Sequence, residues 1–372
     1  MEMRAPVLLR QREPQVVETV ELDDPKAGEV LVRMAASGVC HSCLHAADGS
    51  WSHVRTPIVL GDEGAGVVEK VGPGAVSGPG GVDRLAPGDH VILSWAPTCG
   101  RCHYCVTGRP VLCEARPEPG TMLDGTTRMR LRGEPVYHYG TVASYAPYSV
   151  VPESCAVKIS PDMPLEKAAL IGCSVMTGVG AVLNTARVPA GASLAVFGCG
   201  GIGLNAVQGG RLASAHPLIA VDVGANKLEY ARSMGATHLV DASSEDPVTA
   251  IQRITGRGAD YAIVAVGDAR VAGQAFATTA RGGTCVVVGL PPSGQTIQID
   301  PRLLVGPERR LVGSSYGSAR VFDDFPRMVN LYLAGKLKID ELITRRYGID
   351  EANEAFRALA AGELARGLIV FD

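Results

Sequence analysis

The hydrophobic positions of the first 160 residues come in short runs that are separated by turns. Examples are VLVRMAA (30–36), GAGVVEKVG (64–72) and DHVILSW (89–95), with Pro/Gly turns such as PKAGE and APGD between them. Short apolar runs bounded by such turns are typical of β-strands. The pattern therefore predicts a strand-rich region, and the Gly-rich stretch 72–81 predicts a flexible surface loop within it.

From about residue 165 the apolar runs alternate with helical patterns. Helices are predicted at PLEKAALIGC, GIGLNAVQGGRLASA and GANKLEYARSMG, and two more helices and a strand, RGLIVFD, follow residue 320. Near-continuous Val/Ile/Ala strands joined by helices indicate a parallel sheet that is covered on both faces. The strands of this sheet are predicted at SLAVFG (193–198), PLIAVD (217–222), THLVD (237–241), DYAIVAVG (260–267) and TCVVVGL (284–290).

The bulk composition is that of a globular protein. The 372 residues are 46% hydrophobic and 20% charged, and the length suits two ordinary domains or one large one. A net charge of −3 gives no argument for nucleic acid or a membrane surface as partner. The start of the chain lacks the apolar core of a secretory signal. The apolar run AALIGCSVMTGVGAVL (168–183) is expected to be too short to span a bilayer. We therefore expect a cytoplasmic protein, whose ten cysteines favour metal binding or reactive thiols over disulfides.

A glycine-rich turn between a predicted strand and a predicted helix points to a dinucleotide. Gly198-x-Gly200-x-x-Gly203 lets backbone N–H groups, including those of Gly201 and Ile202, reach a pyrophosphate at the helix N-terminus. Asp222 lies nineteen residues after Gly203, where it would bind the ribose hydroxyls and repel a 2′-phosphate. The pattern therefore favours NAD over NADP. Lys227 either bonds the ribose or is solvated.

Four cysteines in CGRCHYCVTGRPVLC are spaced as C-x2-C-x2-C-x7-C. Four thiolates at these short spacings can enclose one tetrahedral zinc, and an iron–sulfur cluster is the alternative. The loop-rich context favours zinc, and with no open coordination position this zinc would be structural. His103 is surplus to such a site and is expected to be exposed. The predicted ligands are Cys99, Cys102, Cys105 and Cys113.

With these motifs placed, the sequence resembles the zinc-dependent medium-chain alcohol dehydrogenases. The segments that carry the resemblance include GVCHS, GDEGAGVVEKVG, CGRCHYC, IGCSVMTGVGA, FGCGGIGLNAVQG and ARGLIV. It looks especially like the branch with glutathione-dependent formaldehyde dehydrogenases and bacterial nicotinoprotein alcohol dehydrogenases. The resemblance implies an α/β protein with a strand-rich GroES-like catalytic domain over 1–174, which includes a zinc lobe at 96–114. A Rossmann doubly wound parallel-sheet domain that binds NAD is implied over 175–319, and 320–372 is expected to return to the catalytic domain.

The resemblance also implies roles for residues of the catalytic domain. Cys40 and Cys173 match two ligands of the catalytic zinc, and Glu63 matches an acid that approaches it. Ser42 matches the hydroxyl that takes the alcohol proton, and His45 the outer end of a relay to solvent. A surface histidine is the alternative for His45.

Three further matches concern the cofactor and the substrate. His41 and Arg366 match contacts to the pyrophosphate. Trp95 matches an aromatic wall of the substrate pocket, with plain core packing as the alternative.

One position departs from the family pattern. The family has histidine as the third zinc ligand where this chain has Asp62, and an acid beside that histidine where this chain has Cys43. Two adjacent carboxylates would repel, whereas a neutral cysteine removes the conflict. Because carboxylate oxygen also binds zinc, we interpret Cys40, Asp62 and Cys173 as the ligand set, with water, substrate or Glu63 as the fourth ligand. The alternatives are Cys43 as a ligand in place of Asp62, or a site with weak or absent metal.

The interpretation of function is hydride transfer between a primary or secondary alcohol and NAD, with two zinc ions per chain. A thiol-dependent formaldehyde dehydrogenase and a nicotinoprotein with permanently bound NAD are the alternatives within the family. A non-catalytic nucleotide-binding protein is the alternative from another class. The resemblance implies a homodimer or homotetramer that acts on a small alcohol or aldehyde.

Overall fold

The structure is a computed structural model, which describes residues 1–73 and 85–371. Two compact units are formed, one by Met1–Cys173 with Arg320–Asp372 and the other by Ser174–Ala319. Residues 74–81 of the Gly-rich stretch that was predicted to be a surface loop lie outside the described residues.

Each apolar run that was predicted to be a strand overlaps one, and further strands lie outside those runs. Their bounds are β1 Glu2–Leu8, β2 Val16–Leu22, β3 Glu29–Gly38, β4 Ile58–Val59, β5 Gly64–Val71, β6 His90–Leu93, β7 Met129–Leu131, β8 Glu134–His138, β9 Tyr148–Pro152, β10 Ala156–Lys158, β11 Leu194–Phe197, β12 Leu218–Asp222, β13 His238–Asp241, β14 Ala259–Val264, β15 Thr279–Val287, β16 Arg310–Gly313, β17 Ile343–Tyr347 and β18 Arg366–Val370.

The helices are mostly short. Their bounds are α1 His41–Asp48, α2 His103–Val106, α3 Leu165–Leu170, α4 Met176–Gly180, α5 Gly201–Leu212, α6 Ala225–Met234, α7 Pro247–Thr255, α8 Ala269–Ala277, α9 Pro301–Val305, α10 Val321–Leu333 and α11 Ala352–Ala360. Two π-helical segments, Ile171–Val175 and Ala181–Ala186, lie on either side of α4.

The first unit is built mostly from antiparallel strands, with parallel pairing between β4 and β8 and between β17 and β18. β1, β2, β7, β8 and β4 close a small barrel, and a sheet of order β10-β6-β5-β3-β18-β17, with β9 paired to β3, forms beside it. β18 comes from the end of the chain and pairs with β3 through Leu368 and Gly38. The strand after residue 365 therefore completes the sheet that begins near residue 29.

The second unit is a six-stranded sheet of order β13-β12-β11-β14-β15-β16. All its pairings are parallel, and the strand order reverses between β11 and β14. Strands β11, β12 and β14 are mostly buried, as expected of the largely apolar strands in the middle of a parallel sheet. This is the doubly wound Rossmann arrangement, so the predicted α/β fold class is confirmed.

The apolar run near residue 170 was expected to be too short to span a bilayer, and this expectation is wrong. The helical segment Leu165–Ala186 has 22 residues, so by length and composition it could cross a membrane. However, 83% of its most apolar window is buried inside the protein, and core helices share that length and composition. The helix thus extends beyond the apolar run 168–183 at both ends.

Candidate functional site

Cys40 lies where the chain passes from β3 into α1. It is the N-cap residue of the helix, with an extended backbone and no capping hydrogen bond from its side chain. Its carbonyl oxygen accepts the N–H groups of Cys43 and Leu44. The backbone of Cys40 thus begins the helix, while its side chain is not used as a cap and is buried.

Asp62 occupies the turn between β4 and β5. Gly61 before it has φ +101°, and a Cβ there would lie 2.5 Å from Ser144 Oγ and 2.6 Å from the backbone nitrogen of Tyr145. Only glycine tolerates both the positive φ and this close approach. The turn therefore packs closely against Ser144 and Tyr145, and Asp62 is only 5% exposed.

Cys173 is placed by the π-helical turn Ile171–Val175. Such turns are rare and recur at functional sites because they change the direction in which a helix presents its side chains. A Cβ on the neighbouring Gly172 would lie 2.9 Å from the Leu93 carbonyl oxygen, so the turn packs directly on β6. This close packing holds Cys173 in the buried interior.

These three residues converge although they are far apart in the sequence. One donor atom from each of Cys40, Asp62 and Cys173 lies within 4.8 Å of the other two, and all three residues are buried. Two sulfurs and one carboxylate oxygen form a donor set that zinc accepts, with one of four tetrahedral positions left open. The residues therefore fit a catalytic zinc.

Cys43 and Glu63 are the other candidate ligands of the catalytic zinc, and both lie beside the three donors. The sulfur of Cys43 is 3.5 Å from Oδ1 of Asp62, but Cys43 is not a member of the clustered donor set within the described residues. The buried carboxylate of Glu63 pairs instead with the guanidinium of Arg366 at the start of β18. A Cβ on Gly38 would overlap this carboxylate, so the pair needs glycine at that position.

The electrostatics of the cluster favour a bound cation. Burial, and then the negative charge of Cys40, raise the pKa of Asp62 well above its usual value. A hydrogen bond to Cys40, and then burial, raise the pKa of Cys173, while the same bond lowers the pKa of Cys40. The anion of Cys40 thus opposes the ionisation of Asp62 and Cys173, and a divalent cation among them would remove that conflict.

The residues matched to a proton relay lie on α1. Ser42 and His45 are one helical turn apart and half-buried, and Nδ1 of His45 is 3.8 Å from Oδ2 of Asp48. His41 is exposed, and its ring centroid lies 6.2 Å from that of His45. One face of the helix therefore carries a hydroxyl and an imidazole beside the ligand candidate Cys40.

The four-cysteine lobe forms a second, local cluster. One sulfur from each of Cys99, Cys102, Cys105 and Cys113 lies within 4.8 Å of the others. The backbone N–H of Cys102 donates to the sulfur of Cys99, and that of Cys99 donates to the sulfur of Cys113, each at 3.3 Å. Such bonds favour thiolates, and backbone N–H groups of Glu114 and then Cys105 likewise lower the pKa of Cys102 to about 6. His103 is exposed, as expected.

The glycine-rich loop has the geometry of a phosphate-binding turn. Gly198 has φ +87°, and a Cβ on Gly203 would overlap the Gly198 carbonyl, so both positions need glycine. Gly200 is the N-cap residue of α5, which begins with Gly201 and Ile202. A Cβ on Gly200 would meet no other atom within 4 Å, which leaves the open space that a ligand at the helix N-terminus requires.

Asp222 ends β12 beside this loop. Its carboxylate accepts the backbone N–H of Cys199 at 2.7 Å and that of Gly224 at 2.9 Å. A Cβ on Gly224 would lie 3.4 Å from both Oδ1 of Asp222 and Cδ of Lys227, so the two side chains flank the same space. The carboxylate is thus fixed by the turn on which it stands.

Two aromatic residues that the sequence did not reveal lie at the site with Trp95. A Cβ on Gly140 would lie 3.0 Å from Cβ of Trp95 and 3.8 Å from Cβ of Asp62, so Trp95 and Asp62 lie on either side of the same glycine. Burial, and then the nearby thiols and carboxylate, raise the pKa of Tyr139 and Tyr145. Their segment YHYGTVASYAPY gives no spacing that marks them, because tertiary packing alone brings them to the cluster.

Comparison with known proteins identifies the family. The family descriptions "Alcohol dehydrogenase GroES-like domain" and "Zinc-binding dehydrogenase" match residues 26–161 and 201–334. The chain is 40% identical to an alcohol dehydrogenase class-3 of Cereibacter sphaeroides and 39% identical to an S-(hydroxymethyl)glutathione dehydrogenase of Paracoccus denitrificans, in each case over 100% of both chains. It is also 39% identical to an NDMA-dependent alcohol dehydrogenase of Amycolatopsis methanolica, over 100% of this chain and 99% of the relative.

Solved structures agree with these relatives. An alcohol dehydrogenase zinc-binding domain protein from Burkholderia ambifaria superposes with a TM-score of 0.94 at 34% identity, over 100% of this chain and 99% of the other. A benzyl alcohol dehydrogenase from Acinetobacter calcoaceticus gives a TM-score of 0.93 at 31% identity, over 100% of both chains. A zinc-binding dehydrogenase from Sinorhizobium meliloti, solved bound to NADP, gives a TM-score of 0.81 at 28% identity, over 100% of both chains.

The fold and these relatives define a zinc-binding dehydrogenase. The chain belongs to the zinc-dependent alcohol dehydrogenase family, and the resemblance inferred from its motifs is confirmed. It is therefore an oxidoreductase that uses zinc and a nicotinamide cofactor on a small-molecule substrate.

Proposed function

We propose that the protein transfers hydride between a primary or secondary alcohol and NAD, with one catalytic and one structural zinc per chain. The observation that carries this proposal is the buried convergence of Cys40, Asp62 and Cys173. In this proposal the catalytic domain is 1–174, the NAD-binding domain is 175–319, and 320–372 belongs with the former. We also propose a cytoplasmic homodimer or homotetramer, in line with the family.

The catalytic steps fall to residues around the three donors. Bound zinc would supply Lewis acidity toward the substrate oxygen, and nicotinamide would supply the hydride acceptor. Ser42 takes the proton of the alcohol hydroxyl, and His45 passes it toward solvent. Trp95 forms an apolar wall that orients the substrate and excludes water.

The cofactor is held by residues whose donors and acceptors suit each part of NAD. The N–H groups after Gly200 bind the pyrophosphate, and the family resemblance assigns pyrophosphate contacts to Arg366 and His41 as well. Nε of Arg366 is buried and has no hydrogen-bond partner in the described structure, so it retains capacity for an anion. Asp222 accepts hydrogen bonds from the ribose hydroxyls, and Lys227 beside it also reaches the ribose. A 2′-phosphate would meet the carboxylate of Asp222, so we expect a preference for NAD.

The names of two relatives support two alternative functions. One relative is an S-(hydroxymethyl)glutathione dehydrogenase, and this name supports a hydroxymethyl thiol as the substrate. Another is an NDMA-dependent alcohol dehydrogenase, and this name supports a nicotinamide cofactor that stays tightly bound. The test is to measure turnover of simple alcohols with added NAD, of formaldehyde with and without low-molecular-weight thiols, and of alcohols with an artificial electron acceptor.

The results of this test separate the candidates. Alcohol turnover that depends on added NAD supports the main proposal. Turnover that requires a thiol identifies the formaldehyde dehydrogenase, and turnover that requires only the acceptor identifies a nicotinoprotein. Purified, zinc-replete protein that turns over none of these substrates would contradict the proposal.

A further inference from the structure

The two oxygens of the Asp62 carboxylate face different thiols. Oδ1 is 3.5 Å from the sulfur of Cys43, and Oδ2 is 3.9 Å from the sulfur of Cys173. Cys173 belongs to the clustered donor set, whereas Cys43 does not. One oxygen therefore points toward the donor cluster and the other toward a thiol outside it.

We propose that Cys43 is a positioning residue, whose S–H donates a hydrogen bond to Oδ1 of Asp62 and thereby leaves Oδ2 as the single oxygen that binds the metal. This inference rests on the proposed catalytic zinc at Cys40, Asp62 and Cys173. It assigns Cys43 to the carboxylate and not to the metal.

The argument begins with the needs of a buried carboxylate. Each of its oxygens must find a partner when water is excluded, and an oxygen without one is free to turn toward the metal. In the described part of the chain, Cys43 and Cys173 are the side chains that hydrogen-bond to Asp62. A bond from Cys43 satisfies Oδ1 and so stabilises one orientation of the carboxylate. Outer partners of this kind orient metal ligands and strengthen metal affinity.

The helix explains why Cys43 is suited to this task. Cys40 is the N-cap residue of α1, and the backbone N–H of Cys43 donates to the Cys40 carbonyl at 3.1 Å. A single helical turn therefore fixes both a ligand and the residue that orients another ligand. Cys43 is completely buried, so no water competes for its thiol.

The chemistry of a thiol also fits. Cysteine is a weak donor that carries no charge in its protonated form, so it can touch a carboxylate without repulsion. A second acid at this position would oppose the charge of Asp62, and a basic residue would compete with the metal for it. The Cys43–Asp62 pair thus keeps the carboxylate charge available for the cation.

The experiment compares variants of the full-length, zinc-replete enzyme. Cys43→Ala and Cys43→Val remove the donor, the second while filling the volume, and Cys43→Ser restores a donor. Cys285→Ala is the matched control, because Cys285 is also completely buried but lies in β15 of the other unit. The apparent affinity of the catalytic zinc is measured by competition with a chromogenic chelator, and the zinc ligands are identified by crystallography at the zinc edge.

We expect both donor-less variants to lose about tenfold or more in zinc affinity, the range that outer partners of metal ligands contribute. Cys43→Ser should stay within about threefold of the wild type, and Cys285→Ala should not change. In the wild type and in Cys43→Ser, Asp62 should bind zinc through one oxygen, whereas in Cys43→Ala the second oxygen should turn toward the ion.

Two results would overturn this inference and leave the proposed function intact. One is a catalytic zinc whose affinity and carboxylate geometry are unchanged in both donor-less variants. The other is wild-type density in which the sulfur of Cys43 is itself bound to zinc. Wild-type protein with zinc only in the four-cysteine lobe would instead contradict the proposed function, and this inference with it.

Discussion

The two clusters that we propose to bind zinc are built in opposite ways. The four cysteines of the lobe come from one short stretch, three of them are only partly buried, and backbone N–H groups bond to their sulfurs. Cys40, Asp62 and Cys173 come from three distant segments, and all are buried. The first cluster is prepared by local chain geometry, and the second exists only when the surrounding unit is folded.

This difference teaches what each cluster is suited to do. Four thiols would complete the coordination of one zinc ion, so the lobe would gain stability from the ion and offer no place for a substrate. Three donors leave one position open, and their burial strengthens every charge interaction there. The variants below test this contrast, from the largest expected effect to the smallest.

Cys102→Ser should have the largest effect on stability. A structural zinc contributes directly to folding, so we expect a loss of about 5 kcal/mol and a fall in Tm of roughly 15 °C. The measurement is thermal unfolding followed by calorimetry, with zinc counted in parallel. An unchanged Tm would show that the lobe is not held together by metal.

Asp62→Asn should have the largest effect on catalysis at constant fold. The neutral amide is a poor zinc ligand, so we expect the second zinc to be lost and kcat/KM to fall by about three orders of magnitude, or about 4 kcal/mol. Zinc analysis should then find one ion per chain, with Tm close to that of the wild type. A variant that retains both ions and full activity would remove Asp62 from the ligand set.

The Glu63→Gln variant tests whether Glu63 is a ligand of the catalytic zinc. Because Glu63 pairs with Arg366 in a buried environment, we expect the loss of the carboxylate to cost about 3 kcal/mol of unfolding free energy. The zinc content should remain two per chain, since the carboxylate of Glu63 is engaged by the guanidinium. Chemical denaturation and zinc analysis together test this, and loss of the second zinc would mean that Glu63 is a ligand.

Asp62→His should have the smallest effect and change only the pH dependence. Two thiolates and a carboxylate leave one net negative charge on a bound zinc, whereas an imidazole in place of the carboxylate leaves none. A less negative site acidifies a bound hydroxyl more strongly, so the lower limb of the kcat/KM profile should move down by about one pH unit. A limb that moves upward, or stays, would contradict this charge argument.

The sequence revealed the features that depend on local spacing. The strands of the parallel sheet, the loop from Gly198 to Gly203 and the four-cysteine lobe each follow from a short pattern whose physical meaning is fixed. The family resemblance added Cys40 and Cys173, and the departure at Asp62 was visible because the neighbouring motif was intact.

Other features depend on packing between distant segments, and no sequence pattern marks them. Tyr145 reaches the cluster because the turn at Gly61 packs against its backbone. Arg366 pairs with Glu63 because a strand from the end of the chain joins the sheet at β3. The π turn at Cys173 also escaped prediction, since its residues fit an α-helix equally well.

The most direct test of the account is a crystal structure of the zinc-replete wild type with anomalous data on both sides of the zinc edge. The account predicts two ions per chain, one among the four cysteines of the lobe and one bound by the sulfurs of Cys40 and Cys173 and by an oxygen of Asp62. A single ion in the lobe, or a second ion from which Asp62 is turned away, would contradict it.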